Sequence, residues 1–314
     1  MNITRGKNRK AKKVLLYGPE GIGKTTFASE FPKPLFLDAE RGTNEYEVDR
    51  IEVRAWDDIQ RAFAFLQQPG HSYQSVVIDT IDSAAPLLIQ QVCREHHVQA
   101  LSDIGYGKGY ARVSEQVDTL LGQCNALVDR GIHVLFLAHS QIRRVEQPDL
   151  PEGYDKYELR LHERFAGPIK TGVDAIFFAN YRVTMVEDKG RTRALGGKER
   201  VLYATHSTTH DAKNRCGIPE RVPFAIHALA PMFAGNENAP MRENAARQTS
   251  DAIGLEPALH PLDSVLATAD QAQVASFLLK RGQIKAGESY RNLSEAYVRR
   301  VLEAPEAFLK TVRG

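Results

Sequence analysis

The residues best suited to chemistry are Gly18-Pro19-Glu20-Gly21-Ile22-Gly23-Lys24-Thr25, which follow the G-x-x-x-x-G-K-[ST] spacing of a phosphate-binding loop. Glycines let such a loop curl until successive backbone N–H groups face a phosphate chain, and the helix that follows adds partial positive charge at its N-terminus. Lys24 is then placed for the β- and γ-phosphates, Thr25 offers a hydroxyl oxygen to Mg²⁺, and Thr26 carries the loop into the helix. The ligands implied are ATP and Mg²⁺.

Carboxylates recur at the ends of apolar runs, where such a site needs them. Ser75-Val76-Val77-Ile78 ends in Asp79, which puts an acid at the carboxyl edge of a strand and beside the metal. Asp82 either shares that task or caps a helix starting near Ala84, and helix-start rules favour the cap. Leu35-Phe36-Leu37-Asp38-Ala39-Glu40 supplies two more acids, which share a face if the strand runs through both. Glu40 lies further out and is either a base that orients the attacking water or a structural acid.

The elements that must hold these groups are legible as alternation. Short runs rich in Val, Ile, Leu and Phe at Val14–Tyr17, Leu35–Asp38, Ser75–Asp79, Val134–Ala138 and Ala175–Ala179 read as buried parallel strands. Helical segments are expected near 24–30, 57–68, 84–97 and 111–130. Two further strands, Arg182–Glu187 and Arg200–Ala204, flank turn-forming residues and read as antiparallel additions at an edge. The fold class is therefore α/β, a central mostly parallel sheet flanked by helices over residues 14–233. Residues 234–262 read as a linker, and 263–314 as a small helical C-terminal domain with a capping pattern at Thr268-Ala269-Asp270-Gln271.

Composition narrows the class. No apolar run approaches the length that spans a bilayer, and three cysteines without a C-x-x-C pair fit a reducing cytoplasm. The net charge of +2 conceals a basic arm over residues 1–13, which carries Arg5, Lys7, Arg9, Lys10, Lys12 and Lys13 and no acid. Without those six the chain has 35 basic residues against 39 acidic ones, so any contact with a polyanion must be local. His96, His97, His206 and His210 lack the spacing of a zinc site, and no structural metal is expected.

In their order, these motifs resemble the RecA recombinase core over roughly residues 14–225. The resemblance implies that Glu40 is the catalytic base, that Asp79 holds the metal with Thr25, and that His139, or alternatively Gln141, senses the γ-phosphate. Lys213-Asn214-Arg215 is similar to the Lys-x-Arg pair that RecA-like and KaiC-like proteins insert into a neighbour's ATP site. Lys213 and Arg215 would then be trans-acting catalytic cations in a homo-oligomer; otherwise they are a surface pair.

Two segments correspond in order to the RecA loops that touch DNA. In Ile104-Gly105-Tyr106-Gly107-Lys108-Gly109-Tyr110, Tyr106 and Tyr110 can stack on unpaired bases while Lys108 and Arg112 meet phosphates, or the tyrosines simply pack. The second segment, 142–164, holds five bases against six acids, and only Arg143 and Arg144 stand out. Taken together the chain resembles the phage-encoded RecA-like ATPases of single-strand annealing recombination. That implies an ATPase acting on single-stranded DNA in a bacterial host cytoplasm, with a single-stranded-DNA-binding protein as partner. The alternative reading is an ATP-controlled adaptor or loader for a replication or recombination protein.

Overall fold

The runs that lack polar alternation form the middle of one sheet, because a strand covered on both faces needs apolar side chains at every position. A computed structural model describes residues 10–147, 152–188 and 191–233, and the single positions Val274, Phe277, Leu278, Arg281, Tyr297, Val301 and Phe308. The strands are β1 (Lys13–Gly18), β2 (Pro34–Asp38), β3 (Asp49–Glu52), β4 (Ser75–Asp79), β5 (His133–Val145), β6 (Tyr154–Leu159), β7 (Ala175–Asp188), β8 (Arg191–Tyr203), β9 (Lys213–Asn214) and β10 (Arg221–Pro223). Their order is β10-β8-β7-β1-β5-β4-β2-β3, with β6 paired to β5 and β9 to β7. Pairing is parallel from β7 through β3 and antiparallel for β6, β8, β9 and β10.

Side chains alternate across this sheet into two apolar layers. Leu15, Leu37, Ile78 and Phe136 face α2 (Trp56–Leu66), α3 (Ile81–Glu95), α4 (Lys108–Asp129) and α5 (Glu163–Gly172). Leu16, Phe36, Val77 and Leu137 face α1 (Lys24–Ser29) and the segment ending in α6 (Ala230–Phe233). Each enclosed Leu or Phe contributes roughly 1.5–3 kcal/mol. Because both layers are closed, side-chain chemistry is confined to the strand ends.

Several expectations need correction. Helix α3 starts at Ile81 with Thr80 at its N-cap position, so Asp82 lies in the first turn and is not the cap. Strand β2 stops at Asp38, so Asp38 and Glu40 do not share a strand face. The 142–164 segment is no simple loop: it contains the outer half of β5, β6 and the start of α5. What read as two strands, 175–179 and 182–187, is the single β7, with an irregularity between Tyr181 and Val183. Strand β3 escaped notice because half of Asp49-Arg50-Ile51-Glu52 faces solvent at the sheet edge. The basic arm is shorter than expected, since Lys10 pairs with Asp129 at 2.7 Å and Lys13 already belongs to β1.

The chain divides into two compact units, Met1–Met241 and Arg242–Gly314. In the second, Val274, Leu278 and Val301 are buried, and Phe277 meets Phe308 edge-on at 5.8 Å. The expected linker, the capping pattern at 268–271 and arm residues 1–9 lie outside the described residues. Among the described residues, no helix is long and apolar enough to cross a membrane.

Gly18 ends β1 against β7, and a Cβ there would lie 2.4 Å from the backbone oxygen of Ala179. Gly18→Ala must therefore force β1 away from β7 in the middle of the sheet, and should destabilise the protein by about 1–3 kcal/mol. A urea unfolding midpoint equal to that of the wild type would contradict this.

Candidate nucleotide site

Strand register assembles the site. Gly18 at the end of β1 pairs with His139 of β5, and Asp38 at the end of β2 pairs with Asp79 of β4. Since β4 also pairs with β5, the phosphate loop, His139 and Asp79 meet along one edge.

Gly21 and Gly23 take φ of +73° and +96°, the left-handed region that glycine adopts without strain. Ile22 anchors the loop by burying its side chain completely, while Pro19 and Glu20 lie toward solvent. Lys24 opens α1, and its ammonium donates to the carbonyls of Pro19 (3.1 Å) and Gly18 (3.3 Å). Burial lowers the Lys24 pKa, against the pull of Asp82, Glu40, Asp79 and Glu20. Thr26 Oγ1 lies 3.1 Å from the Tyr46 hydroxyl.

Thr25 Oγ1 donates to Asp79 Oδ2 at 2.8 Å. Burial pushes the Asp79 carboxyl up to about 6, with Glu40 and Asp38 adding to the rise and Thr25 and Lys24 opposing it. A hydroxyl and a carboxylate side by side, beside a buried lysine and a loop with two left-handed glycines, make a donor set that fits Mg²⁺ and a nucleoside triphosphate. Of the expected acids, Asp38 is committed elsewhere. It accepts from the N–H of Glu40 (3.1 Å), Gly42 (3.2 Å) and Thr43 (3.0 Å) and from the Thr43 hydroxyl (2.5 Å), which builds the turn after β2.

That turn swings Glu40 to the start of α3, where Oε1 accepts from Thr80 Oγ1 (2.5 Å) and Ser83 Oγ (2.7 Å). His139 Nδ1 is 3.4 Å from the same oxygen and 2.9 Å from Asp82 Oδ2. Burial would raise the Asp82 carboxyl, but hydrogen bonds from the His139 ring and backbone hold it below its ordinary range. Arg160 Nη2 completes the group, 3.1 Å from Asp82 Oδ2. Glu40, Asp82 and His139 bring ligand atoms within 4.8 Å of one another, yet the guanidinium of Arg160 already answers Asp82, so the cation is better served by Thr25 and Asp79. Gln141 points elsewhere and donates to the Leu159 carbonyl at 3.1 Å.

The remaining expected residues lie away from this cluster. Lys213 sits beside the start of β7, opposite the loop end of the sheet, and donates to the carbonyls of Val173 (2.6 Å), Thr171 (2.9 Å) and Lys170 (3.2 Å). It closes the C-terminus of α5, where a cation is favoured. Arg215 is exposed. Tyr106 is fully exposed on a backbone of φ +58°, next to Lys108 at the first position of α4. Tyr110 stacks on His162 at 6.2 Å, and Arg112 pairs with Glu115 at 2.9 Å. Arg143 and Arg144 are exposed on the outer half of β5, with Arg143 3.7 Å from Glu158.

Sequence reasoning missed Arg200 of β8, which donates to the Ile22 carbonyl at 3.0 Å and lies over the Phe224 ring, itself stacked on Phe27. It also missed the roles of Arg160, Thr80 and Ser83. Only the two hydroxyls carried a signal, as polar residues just after the Asp79 strand.

Residues 10–216 match the AAA domain family. The chain belongs to that family. It is also similar to the "SPbeta prophage-derived uncharacterized protein YorG" of Bacillus subtilis (strain 168), 27% identical over 139 residues, which is 43% of this chain. The match spans 42% of that relative's length. Among solved structures, a KaiC-like protein from Pyrococcus horikoshii OT3 aligns at 15% identity and a TM-score of 0.33, over 62% of this chain and 79% of that one. In this member of the AAA domain family, the P-loop, the acid at the end of β4 and the polar end of β5 all fall within the matched span.

Asp79 binds its proton more tightly folded than unfolded, because its value rises from 3.8 to about 6. Its contribution to stability is thus complete below about pH 4 and lost as pH rises through about 6. Asp79→Asn should stabilise the nucleotide-free protein near pH 7.5 by up to about 3 kcal/mol, less the weakened Thr25 bond, and the gain should shrink toward pH 5. Urea unfolding at the two pH values checks this; a less stable variant at the higher pH would mean that the buried charge costs nothing.

Proposed function

We propose that the protein hydrolyses ATP with Mg²⁺ and couples turnover to single-stranded DNA, in recombination or strand annealing of the phage type. The observation that carries the hydrolytic activity is the convergence of Lys24, Thr25, Asp79, Glu40 and His139 on one sheet edge, with Glu40 fixed by two hydroxyls. Thr25 and Asp79 would hold Mg²⁺, which would neutralise charge on the phosphates. Glu40 orients a water and takes its proton as the water oxygen bonds the γ-phosphorus and the bond to the β-phosphate oxygen breaks, giving ADP and phosphate. In this reading His139, 3.4 Å from Glu40, is the γ-phosphate sensor. Asp82 cannot donate while ionised, so it keeps the hydrogen of the ring on Nδ1 and leaves Nε2 for other partners.

Support for unpaired bases as the ligand comes from exposed residues able to stack on them. Tyr106 presents a whole aromatic face on a turn that holds it out of the core, and Lys108, Arg112, Arg143 and Arg144 supply cations on exposed segments. A single-stranded-DNA-binding protein is the expected partner of such an ATPase. Assembly into a homo-oligomer would bring Arg215 to a neighbour's site. Lys213 is the weaker trans cation, since withdrawing it strips three carbonyls of their donor.

Glu40→Gln should keep ATP binding while turnover falls by about 10² or more. Unchanged turnover removes Glu40 as the base. Single-stranded DNA should stimulate the wild-type ATPase, less so as salt rises, and Tyr106→Ala should weaken DNA binding by about tenfold. If neither DNA binding nor stimulation occurs while ATP drives a complex with a replication or recombination protein, the adaptor reading replaces this one.

A further inference from the structure

A short stretch after β6 touches both halves of the proposed machinery. At its start, the Arg160 backbone N–H donates to the His139 carbonyl at 2.8 Å, closing the base of the β5–β6 hairpin. The Arg160 side chain places Nη2 3.1 Å from Asp82 Oδ2 and 3.1 Å from His139 Nδ1. Two residues later, His162 caps the start of α5: its Nδ1 accepts from the Arg164 N–H at 3.2 Å, and its ring lies nearly parallel to Tyr110, at 6.2 Å and 21°. Tyr110 is in the first turn of α4, just past the exposed Tyr106 turn. The chain from 160 to 162 therefore spans the distance between the Glu40–His139 contact and the surface that carries Tyr106 and Lys108.

The contacts at the inner end are mutually dependent. Asp82 is almost wholly enclosed, with 3% of its side chain exposed, and a carboxylate so placed must keep its donors. It has the His139 backbone N–H at 3.0 Å, the His139 ring and Arg160. His139 Nδ1 cannot donate to Asp82 and accept from Arg160 at once, so the position of the guanidinium and the hydrogen bonding of the ring are linked. Moving Arg160 leaves Asp82 more dependent on the His139 ring and changes how that ring stands against Glu40.

We propose that Arg160 is a positioning residue whose hold on Asp82, and through Asp82 on His139, is relayed from the α4 surface by the Tyr110–His162 stack. The inference rests on the single-stranded-DNA reading above. An unpaired base that stacks on Tyr110 competes with the His162 ring for the same aromatic face, and displacing that ring moves the segment that carries Arg160. Half of the Arg160 side chain is exposed, which leaves the guanidinium room to shift without unpacking the core.

The test compares wild type, Arg160→Gln, Arg160→Lys and His162→Ala as full chains. It measures ATP turnover with and without a thymidine homopolymer, the KM for ATP, and polymer binding by fluorescence anisotropy. The expected result for Arg160→Gln is a lower kcat with little change in KM, retained polymer binding, and a stimulation ratio reduced about fivefold or more, the range of ordinary coupling between sites. Arg160→Lys should recover some of that ratio. His162→Ala, which lies away from the nucleotide, should bind polymer and lose stimulation in the same way, so the relay can be tested even if Arg160→Gln does not fold. Wild-type stimulation that persists in Arg160→Gln or in His162→Ala overturns the relay and leaves the DNA reading intact. A wild-type protein that neither binds the polymer nor responds to it overturns both.

Discussion

Parallel pairing of β1 with β5 puts Gly18 opposite His139, and pairing of β2 with β4 puts Asp38 opposite Asp79. Everything at the nucleotide edge depends on those registers. A slip of one residue in β5 would turn Phe136 and His139 to the wrong faces and open both apolar layers. The core therefore enforces the site. Leu15, Ile78 and Phe136 on one side and Leu16, Val77 and Leu137 on the other leave the strands no other way to pair, and the chemistry is carried wherever the strands happen to end. Loops then move the acids the last few ångströms, as the Asp38 turn does for Glu40.

Much of this was legible because it is local or periodic. The phosphate loop is a contiguous motif, Asp79 ends an unbroken apolar run, and buried strands announce themselves by lacking polar positions. What could not be read are contacts closed over long distances in sequence. Arg160 reaches Asp82 across 78 residues, and Arg200 reaches Ile22 across 178. Nothing in a run of mixed charge such as 142–164 distinguishes the arginine whose guanidinium reaches Asp82 from the others. The same blindness explains Lys213. In sequence it is half of a Lys-x-Arg pair, but pairing of β9 with β7 brings it beside the end of α5, and three carbonyls claim its ammonium.

The loop is held from behind as well as from in front. Tyr17, the residue before Gly18, donates its hydroxyl to the Asp211 carbonyl at 2.8 Å and accepts the Asp211 N–H at 2.9 Å. The Asp211 carboxylate in turn binds Lys156 of β6 and Lys170 of α5. Burial would raise the Asp211 carboxyl, but hydrogen bonds from both lysines hold it below its ordinary range. Together with Arg200 on Ile22, this fixes the P-loop strand to β6, α5 and β8, so the hairpin base and the phosphate loop share a rigid support.

Asp79 and Asp82 are three residues apart, Asp79 being buried and the Asp82 side chain 3% exposed, and their environments drive them in opposite directions. Burial raises both. Asp82 is met by the His139 ring, the His139 backbone and the Thr80 hydroxyl, and those bonds outweigh desolvation. Asp79 has the Thr25 hydroxyl and a more distant Lys24 set against the like charges of Glu40 and Asp38, so its carboxyl stays near 6. A charge already answered gains little from a cation, whereas one that is raised and unanswered gains most. Lys24 shows the converse, its charge opposed by burial and supported by Asp82, Glu40 and Asp79. The site thus holds one acid already answered by hydrogen bonds and another, beside Thr25, whose carboxyl is raised, an arrangement suited to a metal-assisted phosphate site.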